Sequence, residues 1–129
     1  MRTKLLVLTA ALLPVAAFAA GGEVHLDRAN IDVTNKASLQ RGASNFVNSC
    51  LGCHSAKYVR YNRMAAVLGL TEQQLIDNLM FTGERPHDTM RIGIKPDDAK
   101  RWFGVVPPDL TLIARSRGAD YIYTFLRSF

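Results

Sequence analysis

Two cysteines and a histidine form a compact pattern near the middle of the chain. Cys50, Cys53 and His54 read Cys-x-x-Cys-His, with Leu51 and Gly52 between the two thiols. This is the attachment pattern of a c-type haem, in which the thiols add to the porphyrin vinyl groups and the imidazole becomes the proximal iron ligand. Gly52 suits the pattern because it has no Cβ to crowd the porphyrin. A chain built on this motif has to fold around a large, flat, apolar ring.

Three other uses of a Cys-x-x-Cys pair fit the sequence less well. A zinc site needs two more ligands, but the chain has only two cysteines, and His25 and His87 have no partner at ligand spacing. A thioredoxin-like redox pair expects a preceding strand, whereas the preceding segment reads as helix. A disulfide between such close thiols would close almost no loop and stabilise little. The adjacent histidine and an export signal favour haem attachment.

Residues 1–19 have the pattern of a secretory signal. Arg2 and Lys4 supply the positive region, residues 5–17 are apolar, and an Ala-Phe-Ala cleavage site follows at 17–19. The apolar run is shorter than the roughly 20 residues that a membrane-spanning helix needs. A cleaved signal is therefore favoured over an uncleaved anchor. Export agrees with the motif, since covalent haem attachment takes place outside the bacterial cytoplasm.

The charge of the chain gives no support for nucleic-acid binding. The formal net charge is +5, from 16 basic and 11 acidic residues, and the basic residues are scattered. Without Arg2 and Lys4, 14 basic and 11 acidic residues remain, a net of +3. A processed chain of about 110 residues buries only a modest core. We therefore expect the haem to supply much of that core and the apo form to be poorly folded.

Local signals predict several short helices after an extended N-terminal segment at 20–37. Ser38 is placed as an N-cap, Thr71 and Gln74 form a capping box, and Gly104 ends a helix that Pro96 begins. The predicted helices are 39–50, 72–81, 96–103, 110–115 and 120–129, with loops at 55–64 and 82–96.

Glycine inside the first predicted helix needs a reason, because it costs about 1 kcal/mol against alanine there. A close helix crossing at Gly42, with Phe46 packed beside it, is one reason. This pattern resembles the first helix of class I cytochromes c, which crosses the last helix. An ordinary amphipathic helix is the alternative.

Several residues after the motif are candidates for the haem environment. Pro107 and Pro108 are stiff and extended, and such a pair can lie flat on the ring near the proximal imidazole. Asp109 is predicted to cap the helix at 110–115. Arg115 and Arg117 are candidates for pairing with haem propionates, or are solvent-exposed.

Other residues are weaker candidates. Tyr58 and Tyr61 either edge the haem pocket or pack on the domain. Met80 is assigned to the core. His87 and Met90 could approach iron, but nothing local fixes them there.

Taken together, the motifs resemble the cytochrome c1 family, the haem subunit of the cytochrome bc1 complex, of the proteobacterial type. The Pro-Pro-Asp-Leu run followed by Arg-x-Arg-Gly is far more specific than the haem motif alone. The segments that carry the resemblance are 42–46, 50–54, 58–63, 102–104, 107–110 and 115–121.

The resemblance implies roles for seven residues around one covalently attached haem c. Cys50 and Cys53 would carry the thioethers, and His54 would be the proximal iron ligand. The prolines would line the proximal side, one arginine would bind a propionate, and a tyrosine would pack at the haem. These last four residues are Pro107, Pro108, Arg117 and Tyr121.

The resemblance also implies the architecture and the setting. We expect a mainly α, class I cytochrome c-like fold of several short helices around the haem, with the haem domain at 38–129 truncated at its C-terminus. The family's distal methionine ligand and its C-terminal membrane anchor are absent from this sequence. The implied partners are cytochrome b, the Rieske iron–sulfur subunit and a soluble or membrane-bound cytochrome c. The implied location is the periplasmic face of the bacterial inner membrane.

Three functions follow from these patterns. The first is an electron carrier that is not catalytic on its own, within a quinol-oxidising complex. The second is an exported five-coordinate haem protein, a ligand sensor or weak peroxidase, if the chain ends at Phe129. The third is a thiol–disulfide enzyme.

Overall fold

The computed structural model describes residues 24–129, and the predicted signal sequence at 1–19 lies outside these described residues. Within them the protein is mainly α, as predicted, with six helices and one small antiparallel sheet. The elements in chain order are α1 (Lys36–Ser49), β1 (Ala56–Arg60), α2 (Tyr61–Leu68), α3 (Glu72–Leu79), β2 (Thr89–Met90), α4 (Pro96–Phe103), α5 (Ile113–Arg117) and α6 (Ala119–Arg127).

The first helix begins three residues before its predicted start. Asn35 is the N-cap, and its side-chain oxygen accepts a hydrogen bond from the Ser38 backbone N–H at 3.0 Å. Ser38 is therefore inside the helix, and its prediction as the cap was wrong. Asparagine caps as well as serine does, so residue type alone does not favour Ser38 over Asn35.

The predicted close crossing at Gly42 is also wrong. Gly42 is exposed, and a Cβ added there meets nothing within 4 Å. The core-facing residues of α1, which include Ala43, Phe46 and Val47, pack towards α2 and α3. The last helix, α6, packs mainly on α5. Helix α1 is thus the ordinary amphipathic helix that was the alternative.

A two-stranded sheet replaces parts of both predicted loops. Strand β1 pairs antiparallel with β2, with Ala56 opposite Met90 and Arg60 opposite Thr89. Tyr58 and Val59 favour a strand because aromatic and β-branched side chains fit a pleated surface. Helix α2 follows directly and ends at Gly69, which adopts the left-handed conformation (φ 69°).

The core lies between α1, α2, α3 and the sheet. Tyr61 is fully buried in it, and its hydroxyl lies 2.8 Å from the Thr82 hydroxyl. Met80 lies half-buried beside this core, in agreement with its assignment, and Met90 lies inside it. The buried members of the core are Val47, Leu51, Ala56, Tyr61, Ala65, Leu68, Leu75, Leu79 and Met90.

The capping box of α3 is confirmed. The Thr71 hydroxyl accepts from the Gln74 N–H at 3.2 Å, and the Gln74 side chain accepts from the Thr71 N–H at 2.9 Å. Helix α4 also has its predicted bounds, and Gly104 ends it in the left-handed conformation (φ 74°). Both helices rest on signals within a few residues of their ends.

The later helices differ from their predictions at the start. Helix α5 begins at Ile113 rather than at 110, with no side-chain cap. Asp109 was predicted to cap it, but its carboxylate instead binds backbone N–H groups of Lys57 and Thr111. Helix α6 begins one residue before the predicted Asp120.

The N-terminal segment from 24 lies against the last helix. The Asp27 N–H donates to the Thr124 hydroxyl at 2.8 Å, and the Ala29 N–H donates to the Asp120 carboxylate at 2.8 Å. Residues 24–35 form no helix or strand, whereas Lys36 and Ala37, also placed in the predicted extended segment, begin α1. Among the helices of residues 24–129, none has the length and apolar character needed to cross a membrane.

Candidate haem-binding site

The Cys-x-x-Cys-His motif forms a tight turn at the end of α1. The Cys50 carbonyl accepts from the Cys53 N–H at 3.1 Å and from the His54 N–H at 2.8 Å. Leu51, inside the turn, is 1% exposed and anchors the motif in the core. Both thiols are free, with Cys50 half-buried and Cys53 exposed. The turn therefore holds two available thiols and an imidazole together, and the two cysteines form no disulfide.

The orientation of His54 is fixed by a residue far along the chain. Its Nδ1 atom lies 2.8 Å from the Pro108 carbonyl oxygen. A carbonyl oxygen can only accept, so Nδ1 carries the proton and donates it. In the neutral ring with this tautomer, the lone pair that can bind a metal lies on the second nitrogen, Nε2. This is the arrangement in which a metal-ligating histidine is oriented by its other nitrogen.

An extended segment, 107–111, runs beside residues 54–58. The Leu110 N–H donates to the Ser55 carbonyl at 2.8 Å, and the Tyr58 N–H donates to the Thr111 hydroxyl at 3.3 Å. Pro107 and Pro108 cannot donate such bonds, because proline has no N–H. The structure thus places the Pro108 carbonyl beside His54, and the position of the proline pair on the face of a haem stays a prediction.

Asp109 joins the same two segments through its side chain. Its Oδ2 accepts from the Lys57 N–H at 2.8 Å, and its Oδ1 accepts from the Thr111 N–H at 3.0 Å. Burial by itself raises the pKa of the Asp109 carboxyl, but the hydrogen bonds from Lys57 and Thr111 outweigh it and hold the pKa below its ordinary value. Asp109 is therefore charged at neutral pH.

Sequence reasoning missed Ser55 and misread Asp109. The Ser55 hydroxyl accepts from the Ile92 N–H at 3.1 Å, while its carbonyl binds Leu110. Both residues act on partners more than 35 positions away. The sequence signal for Asp109 was an aspartate just before a predicted helix, and that signal predicted a cap of that helix.

Arg117 and Tyr121 form a pair at the junction of α5 and α6. The Arg117 guanidinium lies 5.4 Å from the centre of the Tyr121 ring, within cation–π range. Tyr121 stacks on Phe125 at 6.1 Å, and Phe125 meets Phe129 edge-on at 5.0 Å. Arg117 is exposed, so its guanidinium is free to meet an anionic group. Within residues 24–129, no hydrogen bond joins this pair to the motif.

In the part of the chain that the structure describes, the other predicted candidates make no hydrogen bond with the Cys-x-x-Cys-His motif. His87 is exposed, and its carbonyl accepts from the Arg60 guanidinium at 2.6 Å. Met90 is 1% exposed in the core. Arg115 is exposed. Across residues 24–129 there is no group of three or more His, Cys, Asp or Glu side chains that could hold a metal ion.

Large apolar side chains lie exposed in the C-terminal part of the chain. Trp102 is 58% exposed and meets Phe103 edge-on at 6.3 Å. A partner surface can cover exposed apolar side chains of this kind, and the face of a porphyrin is one such surface. The two free thiols, the oriented imidazole and this apolar area fit a covalent haem. The exposed residues of this kind are Trp102, Phe103, Val105, Val106, Leu112, Phe125, Leu126 and Phe129.

Comparison with known proteins gives the same class. The model of the Cytochrome C1 family matches residues 28–129. The chain is 51% identical over 129 residues to cytochrome c1 of Allochromatium vinosum. This alignment covers 100% of this chain and 53% of that protein. It is 48% identical over 126 residues to the ammonia monooxygenase gamma subunit of Nitrosomonas europaea, covering 98% of this chain and 53% of that one. Mitochondrial cytochrome c1, heme protein, of Neurospora crassa is 28% identical over 110 residues, covering 71% and 33%.

Fold, site and comparisons define a haem protein of the electron-transfer class. The chain belongs to the cytochrome c1 family, whose members bind one covalent c-type haem. It spans 53% of the length of the first two relatives.

Proposed function

We propose that this chain carries the haem of an electron-transferring subunit of a quinol–cytochrome c reductase (bc1) complex. In this role it takes electrons from an iron–sulfur protein and passes them to a soluble or membrane-bound cytochrome c. The observation that carries the proposal is the 2.8 Å bond between His54 Nδ1 and the Pro108 carbonyl, beside two free thiols. That bond prepares the imidazole for iron in a chain of the cytochrome c1 family.

The residues of the chain divide the work of holding the haem. Cys50 and Cys53 form the thioethers, and His54 ligates the iron through Nε2. Pro107 and Pro108 wall the proximal side. When bound, the haem supplies a one-electron couple at its iron, whose potential depends on axial ligand, burial and hydrogen bonding.

Two residues of α5 and α6 hold the edge of the ring. Arg117 pairs with a propionate, because a guanidinium fork matches the two carboxylate oxygens. Tyr121 packs at the haem and supports the arginine through the cation–π contact of 5.4 Å. This ion pair compensates the negative charge of the propionate at the haem edge.

The family assignment supports a membrane-bound setting. In the proposed complex the chain is exported and lies on the periplasmic face of the bacterial inner membrane. Its partners there are cytochrome b and the Rieske iron–sulfur subunit. The predicted export signal at 1–19 supports this location.

Expression of the natural full-length protein in cells with a c-type maturation system tests the haem site. We expect red protein, a pyridine haemochrome spectrum of two thioethers, and a mass increased by one haem. His54→Ala should abolish the low-spin spectrum, whereas His87→Ala, the matched change at an exposed histidine, should leave it intact. Colourless protein with free thiols would overturn the proposal and favour the thiol–disulfide alternative.

Electron routing is tested separately in membranes that contain the assembled complex. We expect quinol to reduce this haem through the iron–sulfur protein, and added cytochrome c to reoxidise it. The reduced haem should not bind carbon monoxide if a second protein ligand caps the iron. Rapid carbon monoxide binding without reduction by quinol would favour the open-site sensor or peroxidase instead.

A further inference from the structure

Asp109 links the haem motif to the proline segment with one oxygen for each side. Oδ2 accepts from the N–H of Lys57 in β1 at 2.8 Å. Oδ1 accepts from the N–H of Thr111 in its own segment at 3.0 Å. The residues on either side of Asp109 make the two bonds nearest the motif, Pro108 to His54 and Leu110 to Ser55.

The Asp109 side chain supplies the acceptor for the Lys57 N–H that a backbone carbonyl supplies in an ordinary strand pair. Pro107 and Pro108 offer no N–H groups, so segment 107–111 cannot pair with residues 54–58 as an ordinary strand. The Lys57 N–H lies in a half-buried residue and has the Asp109 carboxylate as its acceptor. Removing that acceptor leaves a partly buried donor without a partner, which the segment can relieve only by moving away or admitting water.

We propose that Asp109 is a positioning residue for the proximal ligand: it holds segment 107–111 against β1 and so keeps the Pro108 carbonyl in place on His54 Nδ1. The inference rests on the proposed role of His54 as iron ligand and deepens that role. Asp109 itself does not touch the imidazole.

The hydrogen bond on Nδ1 affects the iron through the ring. An imidazole that donates a strong hydrogen bond is a better electron donor and a more basic ligand. Loosening the bond therefore favours the reduced haem and raises its midpoint potential. Removing the negative charge of Asp109 raises the potential as well, so a potential alone does not separate positioning from charge.

The test follows the Nδ1 proton of His54 directly. Full-length, haem-loaded protein labelled with ¹⁵N-histidine is studied by NMR in the reduced, diamagnetic state, together with its midpoint potential. The variants are Asp109→Ala, which removes both acceptors, Asp109→Asn, which keeps one, and Asp109→Glu, which keeps the charge but displaces it. The matched control is Asp88→Asn, because Asp88 likewise accepts two backbone N–H bonds, from Glu84 and Arg85, in a different loop.

We expect exchange of the Nδ1 proton to be about fivefold faster in Asp109→Ala and in Asp109→Glu, the factor that corresponds to one ordinary hydrogen bond. Asp109→Asn should lie between these variants and the parent, and Asp88→Asn should match the parent. The potential should rise in Asp109→Glu as well as in Asp109→Ala.

Three results would overturn the inference. One is red protein whose Nδ1 exchange is unchanged in both Asp109→Ala and Asp109→Glu. Another is an Asp109→Glu variant with the Nδ1 proton exchange rate and the midpoint potential of the parent. That result would mean that Asp109 acts only through its negative charge. The third is equal acceleration by Asp88→Asn, which would indicate general loosening. If Asp109→Ala yields no folded protein, Asp109→Asn and Asp109→Glu carry the test. Colourless parent protein would instead overturn the haem site itself.

Discussion

The Nδ1 atom of His54 lies 2.8 Å from the carbonyl oxygen of Pro108, a residue 54 positions later in the chain. Because the acceptor is a backbone atom, substituting Pro108 keeps the oxygen but frees the φ angle that aims it. We expect Pro108→Ala to lower the free energy of unfolding of the haem-loaded protein by roughly 0.5–1 kcal/mol. Urea unfolding followed by absorbance measures this.

The control for that change is Pro86→Ala. The Pro86 carbonyl also accepts a long-range bond, from the Asn62 N–H at 2.7 Å. Pro86→Ala should cost similar stability and leave the His54 ring signals unchanged. Equal shifts of those signals in both variants would contradict a special role for Pro108.

Two glycine-to-alanine changes should have opposite signs. A Cβ on Gly83 would lie 2.7 Å from the Tyr61 ring, which is 0% exposed and cannot swing aside. We expect Gly83→Ala to destabilise the protein by about 1–3 kcal/mol through overpacking. Gly42→Ala, on the open face of α1, should stabilise it by about 0.5–1 kcal/mol. Chemical unfolding of both variants checks the prediction. Destabilisation by Gly42→Ala would contradict it and would support a close helix crossing at Gly42.

Met90 should matter for stability and not for iron. It is 1% exposed between β1 and the helices, so Met90→Ala should cost about 2–5 kcal/mol. Met90→Leu keeps the volume and should cost under about 1.5 kcal/mol. The haem absorption spectrum should be the same in all three proteins. A loss of low-spin character in Met90→Leu would assign this thioether to the iron.

Acid should weaken the loop that Asp88 holds. Backbone N–H donation from Arg85 is the largest cause that lowers the pKa of the Asp88 carboxyl from 3.8, with further donation from Glu84 and attraction to the Arg85 guanidinium. A depressed pKa stabilises the fold above the unfolded value, and this stability is lost as the pH falls through the folded pKa. Asp88→Asn should thus be less stable than the parent at pH 7, and the difference should shrink below pH 3.8. Unfolding series across this range measure it, and a constant difference would contradict it.

Arg117 and Arg115 offer a matched pair for the propionate. Both are exposed in the last turn of α5, and Arg117 has the contact with Tyr121. Removing a cation beside a propionate disfavours the reduced haem, so Arg117→Ala should lower the midpoint potential. Arg115→Ala should lower it less. Redox titration at low and high salt decides the point, and equal shifts would mean a general charge effect.

The sequence predicted correctly those elements whose ends are fixed by interactions between residues close in the chain. The capping box at Thr71 and Gln74 and the stop at Gly104 each act within one turn, so α3 and α4 could be placed from residue order alone. The pair β1 and β2 could not, because strands of five and two residues become visible only when they meet across the intervening α2 and α3.

The site shows the same division. The thiols and the imidazole are adjacent in sequence and were identified from their spacing. The neighbouring polar residues Ser55 and Asp109 instead bind groups 37 and 52 positions away. An aspartate before a helix has the same residue type whether it caps that helix or holds a distant strand, so only the fold distinguishes the two.

The 54-residue separation of His54 and Pro108 also sets an order of events. If the chain is exported as proposed, threading from its N-terminus presents Cys50 and Cys53 well before Pro108 emerges. Contacts across so long a loop form late, because closing the loop costs conformational entropy before any contact between its ends stabilises it. On that proposal we expect the thiols to be reachable by a haem-loading factor before the proximal wall forms, and segment 107–111 to complete the site behind a ring that is already attached.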